Sequence, residues 1–336
     1  MAWYEILILS LGIAAALILI TALTVAAALY RFAIPRKKEQ PPKEGELPFE
    51  QMMRKNKKDY YLPEVRAGVE FMTANRREAE EVYIDAIDGV RLHAALFRTE
   101  RPAGLIVLCH GFHSSGEADF APVIPFYLDK GYHVLLIDQR AHGRSGGKHL
   151  AFGVKERYDL RSWLCYAENR FPGLPLFASG ISMGGATVAY ALQLPDLPSS
   201  FCGALADCGY DSPAEEVAWF ARHKFKLRFA RFFIFFSDIY CRLFAHFSLY
   251  DCCTSRNADR ITRPVMIIHG TLDDVVPFEN GQRIYNALSC KKAFFVGKDA
   301  LHGCSYLEES ERFKAEVSRF LDGCAADYKS RYGGTR

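Results

Sequence analysis

The chain has 336 residues, half of them hydrophobic, and carries a formal net charge of +3. A chain of this length accommodates one large domain with an appendage. So small a net charge gives no basis for attraction to nucleic acid, and we expect no nucleic-acid partner. The ten cysteines include no C-x-x-C pair, and several lie in apolar runs. We therefore expect free thiols in a reducing compartment, with neither a disulfide framework nor a metal site.

The first predicted element is a transmembrane helix over residues 5–30. Its apolar run extends from Ile6 to Tyr30, about 25 residues, which is enough to cross a hydrocarbon core of roughly 30 Å. No Lys or Arg precedes the run, which disfavours a cleaved signal peptide. Basic residues follow it at positions 31, 36, 37, 38 and 43. By the positive-inside rule, this pattern predicts a single-pass membrane protein whose remaining chain lies in the cytoplasm.

Residues 31–80 are predicted to form a juxtamembrane linker and a helical segment. Residues 35–50 are rich in Pro, Lys and Glu and lack periodicity, as is typical of a linker. The charged run 51–80 is expected to be helical in part and to pack on the following domain or on the membrane surface. Its basic cluster at positions 54, 55, 57 and 58 is most simply a solvated face, and attraction to anionic lipid is the alternative.

Strands and helices then alternate along the chain. Two segments around Asp88-Gly89 form a predicted hairpin, and the apolar runs that follow are typical of strands buried on both faces. Helical patterns cover residues 119–130 and 153–171. This alternation predicts an α/β fold with a mostly parallel central sheet and helices on both faces. The predicted strands cover residues 82–84, 91–97, 105–109, 132–137, 176–179, 203–206, 265–268 and 293–296.

Two strand ends in the first half carry polar loops. One strand ends in His110-Gly111-Phe112-His113, where a turn would present the Phe112 N–H to an oxyanion. His110 itself is expected to be structural. The next strand leads into the loop that contains Asp138 and Arg140. We expect these two residues to pair and hold the loop, because most ion pairs are structural and not catalytic.

The most informative motif is Gly180-Ile181-Ser182-Met183-Gly184-Gly185, which reads G-x-S-x-G. An apolar strand precedes it and a helix-forming run follows, as a nucleophile elbow requires. Such a turn exposes the serine hydroxyl at the edge of the sheet and points a helix N-terminus at it. We therefore predict Ser182 as a nucleophile and the Met183 N–H as the second oxyanion donor. The motif alone also arises by chance in glycine-rich turns, so its weight depends on its neighbours.

The order of three features resembles the α/β-hydrolase superfamily: the His110-Gly111 turn, the loop 138–145 and the serine elbow. More narrowly, the chain looks like the membrane-anchored bacterial serine hydrolases related to the BEM46-like branch. The resemblance covers residues 81–326 and implies an α/β-hydrolase fold for that domain. It carries almost no information about the substrate.

The resemblance also implies an acid and a histidine after the serine, in the order Ser, Asp, His. The family pattern H-G-x-x-D-x-V-x-P begins here at His269 and selects Asp273 over its neighbour Asp274. His302 follows the last predicted strand, in a loop suited to a catalytic imidazole. Asp207 is the fallback acid, because some relatives draw theirs from the end of that earlier strand. His269 is expected to be structural.

The implied chemistry is acyl transfer. Ser182 would attack the acyl carbon, His302 would act first as general base and then as general acid, and Asp273 would hold the imidazole. The N–H groups of Phe112 and Met183 would bind the oxyanion. Such a mechanism requires no metal and no cofactor.

A segment of about residues 212–260 interrupts the second half of the sheet and resembles a helical lid. It interleaves aromatic residues with Arg and Lys. We favour the interpretation that the aromatics pack the lid onto the domain. The alternative is a basic, aromatic surface that enters anionic lipid, which would favour an acyl-lipid or lipidated substrate. The aromatics are Trp219, Phe220, Phe225, Phe229, Phe232, Phe233, Phe235, Phe236, Tyr240, Phe244 and Phe247.

We therefore predict a membrane-tethered serine hydrolase that cleaves ester or thioester bonds in a small-molecule or lipid acyl substrate, closer to carboxylesterases, lipases and thioesterases than to peptidases. A peptidase or amidase is the alternative among enzymes, because the same triad serves any acyl group. A catalytically idle hydrolase fold that acts as a membrane-anchored scaffold or binding protein is the alternative from another class. A complete set of Ser, Asp and His argues against it.

Overall fold

The computed structural model describes residues 2–37, 47 and 50–332. Within these ranges the chain forms eight strands and twelve α-helices, besides short 3-10 helices at Asp59–Tyr61 and Ala258–Arg260 and a π-helix at Cys241–Ala245. The strands are β1 Glu80–Asp85, β2 Arg91–Phe97, β3 Gly104–Cys109, β4 Tyr132–Asp138, β5 Leu176–Ile181, β6 Phe201–Asp207, β7 Val265–Gly270 and β8 Lys292–Gly297. The helices are α1 Trp3–Ala33, α2 Glu50–Lys55, α3 Leu62–Asn75, α4 Gly116–Phe120, α5 Ile124–Asp129, α6 Glu156–Arg170, α7 Met183–Ala191, α8 Pro213–Lys224, α9 Ala230–Tyr240, α10 Phe278–Ala287, α11 Ser305–Glu308 and α12 Ser310–Tyr332.

All eight strands belong to one sheet, in the order β1-β2-β4-β3-β5-β6-β7-β8. β1 and β2 form the predicted antiparallel hairpin, and β2 is antiparallel to β4. The remaining neighbours are parallel, which confirms the predicted mostly parallel sheet. Because the carboxyl ends of parallel strands meet at one edge of the sheet, the loops that follow them lie together there.

Apolar layers cover both faces of the sheet. β3 shows how its sequence produces this arrangement: Leu105 and Val107 pack in one buried cluster, and Ile106 and Leu108 pack in the other. Successive side chains of a strand point to opposite faces, so a continuous apolar run fits a strand that is covered on both sides. Helix α6 covers the first face and helix α12 the second.

The helix predicted over residues 119–130 is instead two short helices, α4 and α5. Pro122 lies between them and has no N–H to donate to a continuing helix. Pro125 is tolerated because it falls in the first turn of α5, where its missing N–H has no helical partner to lose. The prediction of one continuous helix is therefore wrong.

Helix α1 is longer than the predicted span and has two parts. It is the one helix in the described residues that is long and apolar enough to cross a membrane by length and composition. Residues 3–21 are exposed on every side, a length of about 28 Å at 1.5 Å per residue. In the second part Ala22, Ala26, Tyr30 and Ala33 are buried. The first three recur every four residues and therefore share one face of the helix.

That buried face packs against α9. The hydroxyl of Tyr240 donates to the carbonyl of Leu23 at 3.3 Å, and the hydroxyl of Ser237 donates to that of Ala26 at 3.5 Å. The rings of Tyr30 and Tyr240 lie 6.0 Å apart. The end of α1 is thus joined to the insertion by both apolar and polar contacts.

The residues directly after α1 are fastened to the hydrolase domain. The Arg36 backbone N–H donates to Lys148 O at 2.8 Å, and its guanidinium donates to Ser145 O at 2.7 Å. In return, the Leu150 N–H donates to Ile34 O at 3.0 Å. Except for Leu47, the predicted linker from residue 38 to residue 49 lies outside the described residues.

The segment expected to be partly helical contains α2 and α3 and packs on the domain. Met53 and Tyr61 are buried with Leu301 in a small apolar cluster. Lys58, from the basic cluster at positions 54–58, forms an ion pair with Glu308 at 2.6 Å. This part of the cluster is therefore engaged with the domain and is not a solvated face.

The insertion between β6 and β7 is helical, as predicted; five of its eleven named aromatic residues are exposed and five are partly buried. Of the eleven aromatics named above, Phe247 alone is fully buried. Those facing outward include Phe225, Phe229, Phe232 and Phe235, which are 50%, 66%, 44% and 58% exposed. The favoured packing interpretation is therefore wrong for the five exposed aromatics, which also include Phe244. Helices α8 and α9 present an apolar surface beside α1.

Candidate active site

Ser182 occupies a strained turn between β5 and α7, with φ 57° and ψ −117°. Glycines make room for this turn: a Cβ on Gly184 would lie 1.9 Å from Cys109 O, and a Cβ on Gly180 would lie 2.1 Å from Gly184 O. The Ser182 N–H donates to Asp207 O at 2.9 Å, which ties the turn to β6. Strained backbone of this kind costs on the order of 1–3 kcal/mol and concentrates at functional sites.

The two predicted oxyanion donors flank the serine. Met183 is the first residue of α7, so its N–H is one of those that a helix leaves without an internal partner. Gly111, in the loop after β3, lies close to the serine: a Cβ added to Gly111 would be 3.4 Å from Ser182 Cβ. Phe112 is the next residue of this loop. Among the hydrogen bonds of the described residues, neither the Phe112 N–H nor the Met183 N–H has an acceptor. Both are therefore available to a negatively charged oxygen.

His302 and Asp273 are joined directly. His302 Nδ1 lies 2.7 Å from Asp273 Oδ2. The other carboxylate oxygen accepts the N–H groups of Val275 at 2.9 Å and Val276 at 2.8 Å. Burial raises the pKa of Asp273, but the charge of His302 and the hydrogen bonds outweigh it and hold that pKa well below its usual value. The carboxylate stays ionised and fixes the orientation of the imidazole.

The free nitrogen of His302 faces the sulfur of Cys208. Cys208 Sγ lies 3.9 Å from His302 Nε2. In the described residues, Ser182 Oγ and His302 Nε2 make no hydrogen bond with each other. Catalytic hydrogen bonds are often long or poorly aligned before substrate binds. Ser182 would have to rotate, or the imidazole shift, before a proton passes between them.

The alternative acids are placed less well for this role. Asp207 ends β6 and is buried; its Oδ1 has no hydrogen-bond partner in the described residues, and burial raises its pKa to about 7. Asp274 is exposed. Of the three aspartates, Asp273 is the one hydrogen-bonded to His302 in the described part of the chain.

The other two histidines of these motifs are held by the backbone. His110 is fully buried, with Nδ1 2.8 Å from Gly111 O and Nε2 accepting the Gln139 N–H at 3.1 Å. His269 is also fully buried, and its Nε2 lies 2.9 Å from Val276 O. Both positions fit the structural role expected from the sequence.

Asp138 and Arg140 hold their loop, but they do not pair with each other. Asp138 Oδ2 lies 2.7 Å from His93 Nδ1. Arg140 forms a bidentate pair with Asp159, both contacts at 2.6 Å, and also reaches Asp88 at 2.9 Å. The predicted pairing is wrong because the partners are distant in sequence and only the fold brings them to this loop.

Three potential metal-ligand atoms meet at the site, on Cys208, Asp273 and His302, all within 4.8 Å of one another. The chemistry of this set does not suit a cation. Burial raises the pKa of the Cys208 thiol well above its usual value, so the soft thiolate ligand would be scarce. Nδ1 of His302 is already hydrogen-bonded to the carboxylate.

A largely apolar pocket of about 80 Å³ opens at Ser182. Its walls come from the loops after β3, β4, β6 and β7, from α8 and from the end of α1. The lining residues are Leu29, Phe32, Ala33, Phe112, Phe152, Ser182, Tyr210, Glu216, Val217, Phe220, Ala221, Phe225, Val275 and Val276.

Sequence reasoning missed two parts of this pocket. Glu216 lines it and is 9% exposed; burial raises its pKa to about 8. The available signal was weak: Glu216 follows Glu215 in α8 and has Ala214, Val217 and Ala218 as apolar neighbours. The contribution of α1 had no local signal at all, because a helix expected only to span a membrane gives no reason to place it at an active site.

Comparisons with known proteins agree with this architecture. A family model described as "Serine aminopeptidase, S33" matches residues 100–226. A solved esterase from Pyrococcus furiosus superposes with a TM-score of 0.60 at 26% identity, covering 73% of this chain and 90% of the esterase.

Among curated proteins, the chain is 27% identical to YqkD of Bacillus subtilis over 219 residues, 65% of this chain and 70% of that protein. It is 33% identical over 113 residues to a monoacylglycerol lipase of Mycolicibacterium smegmatis, which is 32% of this chain and 40% of the lipase.

The sheet order, the serine turn after β5 and these similarities define the class of the protein as a hydrolase of the α/β type. The chain belongs to the α/β-hydrolase superfamily.

Proposed function

We propose that this α/β-hydrolase cleaves ester or thioester bonds through an acyl-enzyme intermediate on Ser182. The observation that carries the proposal is the convergence, at one end of an apolar pocket, of a strained serine, two N–H groups without acceptors and a nearby Asp273–His302 pair. The similarity to a solved esterase and, over part of the chain, to a monoacylglycerol lipase supports the same class of substrate.

The proposed mechanism follows from the position of each group. His302 takes the proton of Ser182 as the hydroxyl attacks the acyl carbon, and later delivers it to the departing alcohol or thiol. Asp273 holds the imidazole through Nδ1 and stabilises its charged form. The N–H groups of Phe112 and Met183 bind the oxyanion, and loss of one such donor costs about 3 kcal/mol in comparable sites. Water then repeats the sequence on the acyl-enzyme.

We further propose that α1 anchors the enzyme in a membrane as a single span, with the hydrolase domain in the cytoplasm. The exposed apolar length of residues 3–21 and the basic residues that follow α1 support this orientation. A reporter fused after residue 336 tests it: activity of a cytoplasmic reporter is expected, and activity of a reporter that works only outside the cytoplasm contradicts the orientation.

A second candidate function is peptide hydrolysis from the amino terminus, because the matching family model is described as a serine aminopeptidase. Such an enzyme must bind a substrate ammonium group beside the nucleophile. Glu216 is the acidic residue among the residues lining the pocket. With its pKa raised to about 8, it would be largely protonated at neutral pH and a weak partner for a cation. This favours ester hydrolysis.

Substrate comparison separates the two functions. The full-length protein in detergent is assayed with nitrophenyl esters of increasing acyl length and with amino-acyl nitroanilides, beside Ser182→Ala. We expect ester turnover that the substitution removes, and little turnover of the anilides. Turnover confined to the anilides contradicts the ester assignment and favours the peptidase.

A further inference from the structure

We propose that α1 is part of the substrate-binding site as well as an anchor. Its last two turns form one wall of the acyl pocket, and the mouth of the pocket opens at the membrane surface, so that a long-chain acyl ester enters from the bilayer. This inference rests on the acyl-transfer function proposed above. It adds a substrate class, membrane lipids with a long acyl chain, and a route of entry.

The last two turns of α1 divide their contacts between two faces. Ala26 and Tyr30 contact the insertion helix α9. Leu29, Phe32 and Ala33 line the cavity that contains Ser182. Residues 32 and 33 lie three and four positions after residue 29, so both are neighbours of Leu29 on the same side of the helix. The pocket therefore has a wall that belongs to the apolar helix itself.

This wall is fixed in place at both sides. Upstream of Leu29, the carbonyl groups of α1 accept hydrogen bonds from Ser237 and Tyr240. Immediately after Ala33, Ile34 and Arg36 form backbone hydrogen bonds with the loop that precedes α6. The end of α1 is thus built into the domain, as a permanent pocket wall would have to be.

The mouth of the pocket lies where α1 meets the end of α8. The rings of Phe32 and Phe225 lie edge to face at 5.6 Å, and they are 44% and 50% exposed. Lys37 follows α1 and folds back over its last turn, with its ammonium 4.4 Å from the centre of the Phe32 ring. A cation stacked on an exposed aromatic ring is the arrangement expected at the level of lipid headgroups.

A second apolar surface lies on the exposed part of α1, further from the domain. A groove runs between Leu17, Ile18 and Thr21 of α1 and the phenylalanines at 229, 232 and 233. In water such an exposed apolar surface would promote aggregation, whereas in a bilayer the acyl chains of the lipids would cover it. An acyl chain of the bilayer would lie in this groove, on the same helix whose last turns line the pocket at Ser182.

The pocket can be narrowed from the α1 side without touching the reacting groups. Leu29→Trp adds bulk to the α1 wall, and Leu19→Trp makes the same change at a position that is 48% exposed and away from the pocket. Rates of labelling of the full-length protein in phosphatidylcholine vesicles are measured with ethyl and dodecyl fluorophosphonate. We expect Leu29→Trp to lower the dodecyl-to-ethyl ratio by at least about tenfold, and Leu19→Trp to leave it unchanged.

A second measurement needs no substitution in α1. A long-chain fluorophosphonate with a diazirine at its far end is attached to the wild-type enzyme and photolysed. We expect crosslinks to the peptide that contains residues 29–33. Crosslinks confined to the domain, or an unchanged dodecyl-to-ethyl ratio in Leu29→Trp, overturn the inference while the acyl-transfer function stands. Failure of both probes to label the wild type overturns the proposed function, and the inference with it.

Discussion

At the scale of single residues, the proposed base has a pKa set by two opposing effects. Burial lowers the pKa of His302, whereas the charge of Asp273 and its hydrogen bond raise it, and the net result lies above the usual 6.5. The imidazole must be neutral to accept the serine proton. We therefore expect activity to fall as the pH drops through a midpoint above 6.5.

The Asp273→Asn enzyme tests this assignment. It keeps the burial of His302 but loses the charge, so the midpoint of the acid limb of kcat/KM should move to lower pH, in addition to a large loss of rate. The measurement is a pH profile of ester hydrolysis for both enzymes. An unchanged midpoint would mean that another group is the base or that another carboxylate controls it.

Glu216 gives a prediction about stability. Burial raises its pKa from the usual 4.5 to about 8, so the folded state binds a proton that the unfolded state releases. Its contribution to the free energy of unfolding is therefore most favourable at low pH and is lost as the pH rises through 8. Glu216→Gln removes this dependence.

The melting temperature of Glu216→Gln minus that of the wild type should increase from pH 5 to pH 9. The exposed neighbour serves as the control: Glu215→Gln should stay within about 0.5 kcal/mol of wild type at each pH. A constant difference for Glu216→Gln across this range contradicts the burial of an ionisable carboxyl in the pocket wall.

At the scale of elements, the serine turn depends on glycines that allow close approach. A Cβ at Gly184 would lie 1.9 Å from Cys109 O, which is backbone and has to move. We expect Gly184→Ala to lower the free energy of unfolding by about 1–3 kcal/mol and to displace Ser182. In α12, Gly323 has only a lysine side-chain nitrogen at 3.8 Å, so Gly323→Ala should stabilise by about 0.5–1 kcal/mol. Denaturant unfolding distinguishes the two, and a neutral Gly184→Ala contradicts the steric account.

Strands and helices were predictable from the sequence where a single local pattern of residues determines them. The strands β3 to β8 are apolar runs because both faces of the sheet are covered, and they were predicted from that pattern; β1 and β2 were predicted from the hairpin signal at Asp88-Gly89. The prediction of one continuous helix over residues 119–130 was wrong because Pro122 interrupts the helix despite the helical pattern around it. The prediction for the five exposed aromatics of the insertion was wrong for a different reason: an aromatic-rich composition fits a core or an exposed apolar surface equally well, and a single sequence does not show which neighbours cover each ring.

At the scale of the whole molecule, α1 and the insertion form one unit, so we expect the domain to depend on α1. A fragment that begins at residue 50 exposes the face of α9 that covers Ala22 and Ala26, beside the outward phenylalanines. It should associate in solution, and trypsin should cleave it faster between positions 222 and 231 than it cleaves the full-length protein. Size-exclusion chromatography and timed proteolysis measure both. A monodisperse fragment with an unchanged cleavage rate contradicts the coupling.

In the candidate site, too, features that depend on a short motif were predictable and features that depend on contacts between distant residues were not. The positions of Ser182, Asp273 and His302 at one edge of the sheet were predictable, because each residue lies in a short motif at the end of a strand; their catalytic roles stay a prediction. The pocket wall from α1 and the partners of Arg140 were not predictable, because they join residues far apart in sequence. Their signal is spatial proximity, which a single sequence does not carry.

The central claim is that Ser182 is the nucleophile of an acyl-transfer site. Fluorophosphonate labelling of the full-length protein, followed by mass spectrometry of its peptides, tests it most directly. We expect one phosphonate adduct, on the peptide that contains Ser182, absent from Ser182→Ala and formed far more slowly in Asp273→Asn and His302→Ala. Labelling that persists in Ser182→Ala, or a folded wild-type protein that is not labelled, contradicts the claim.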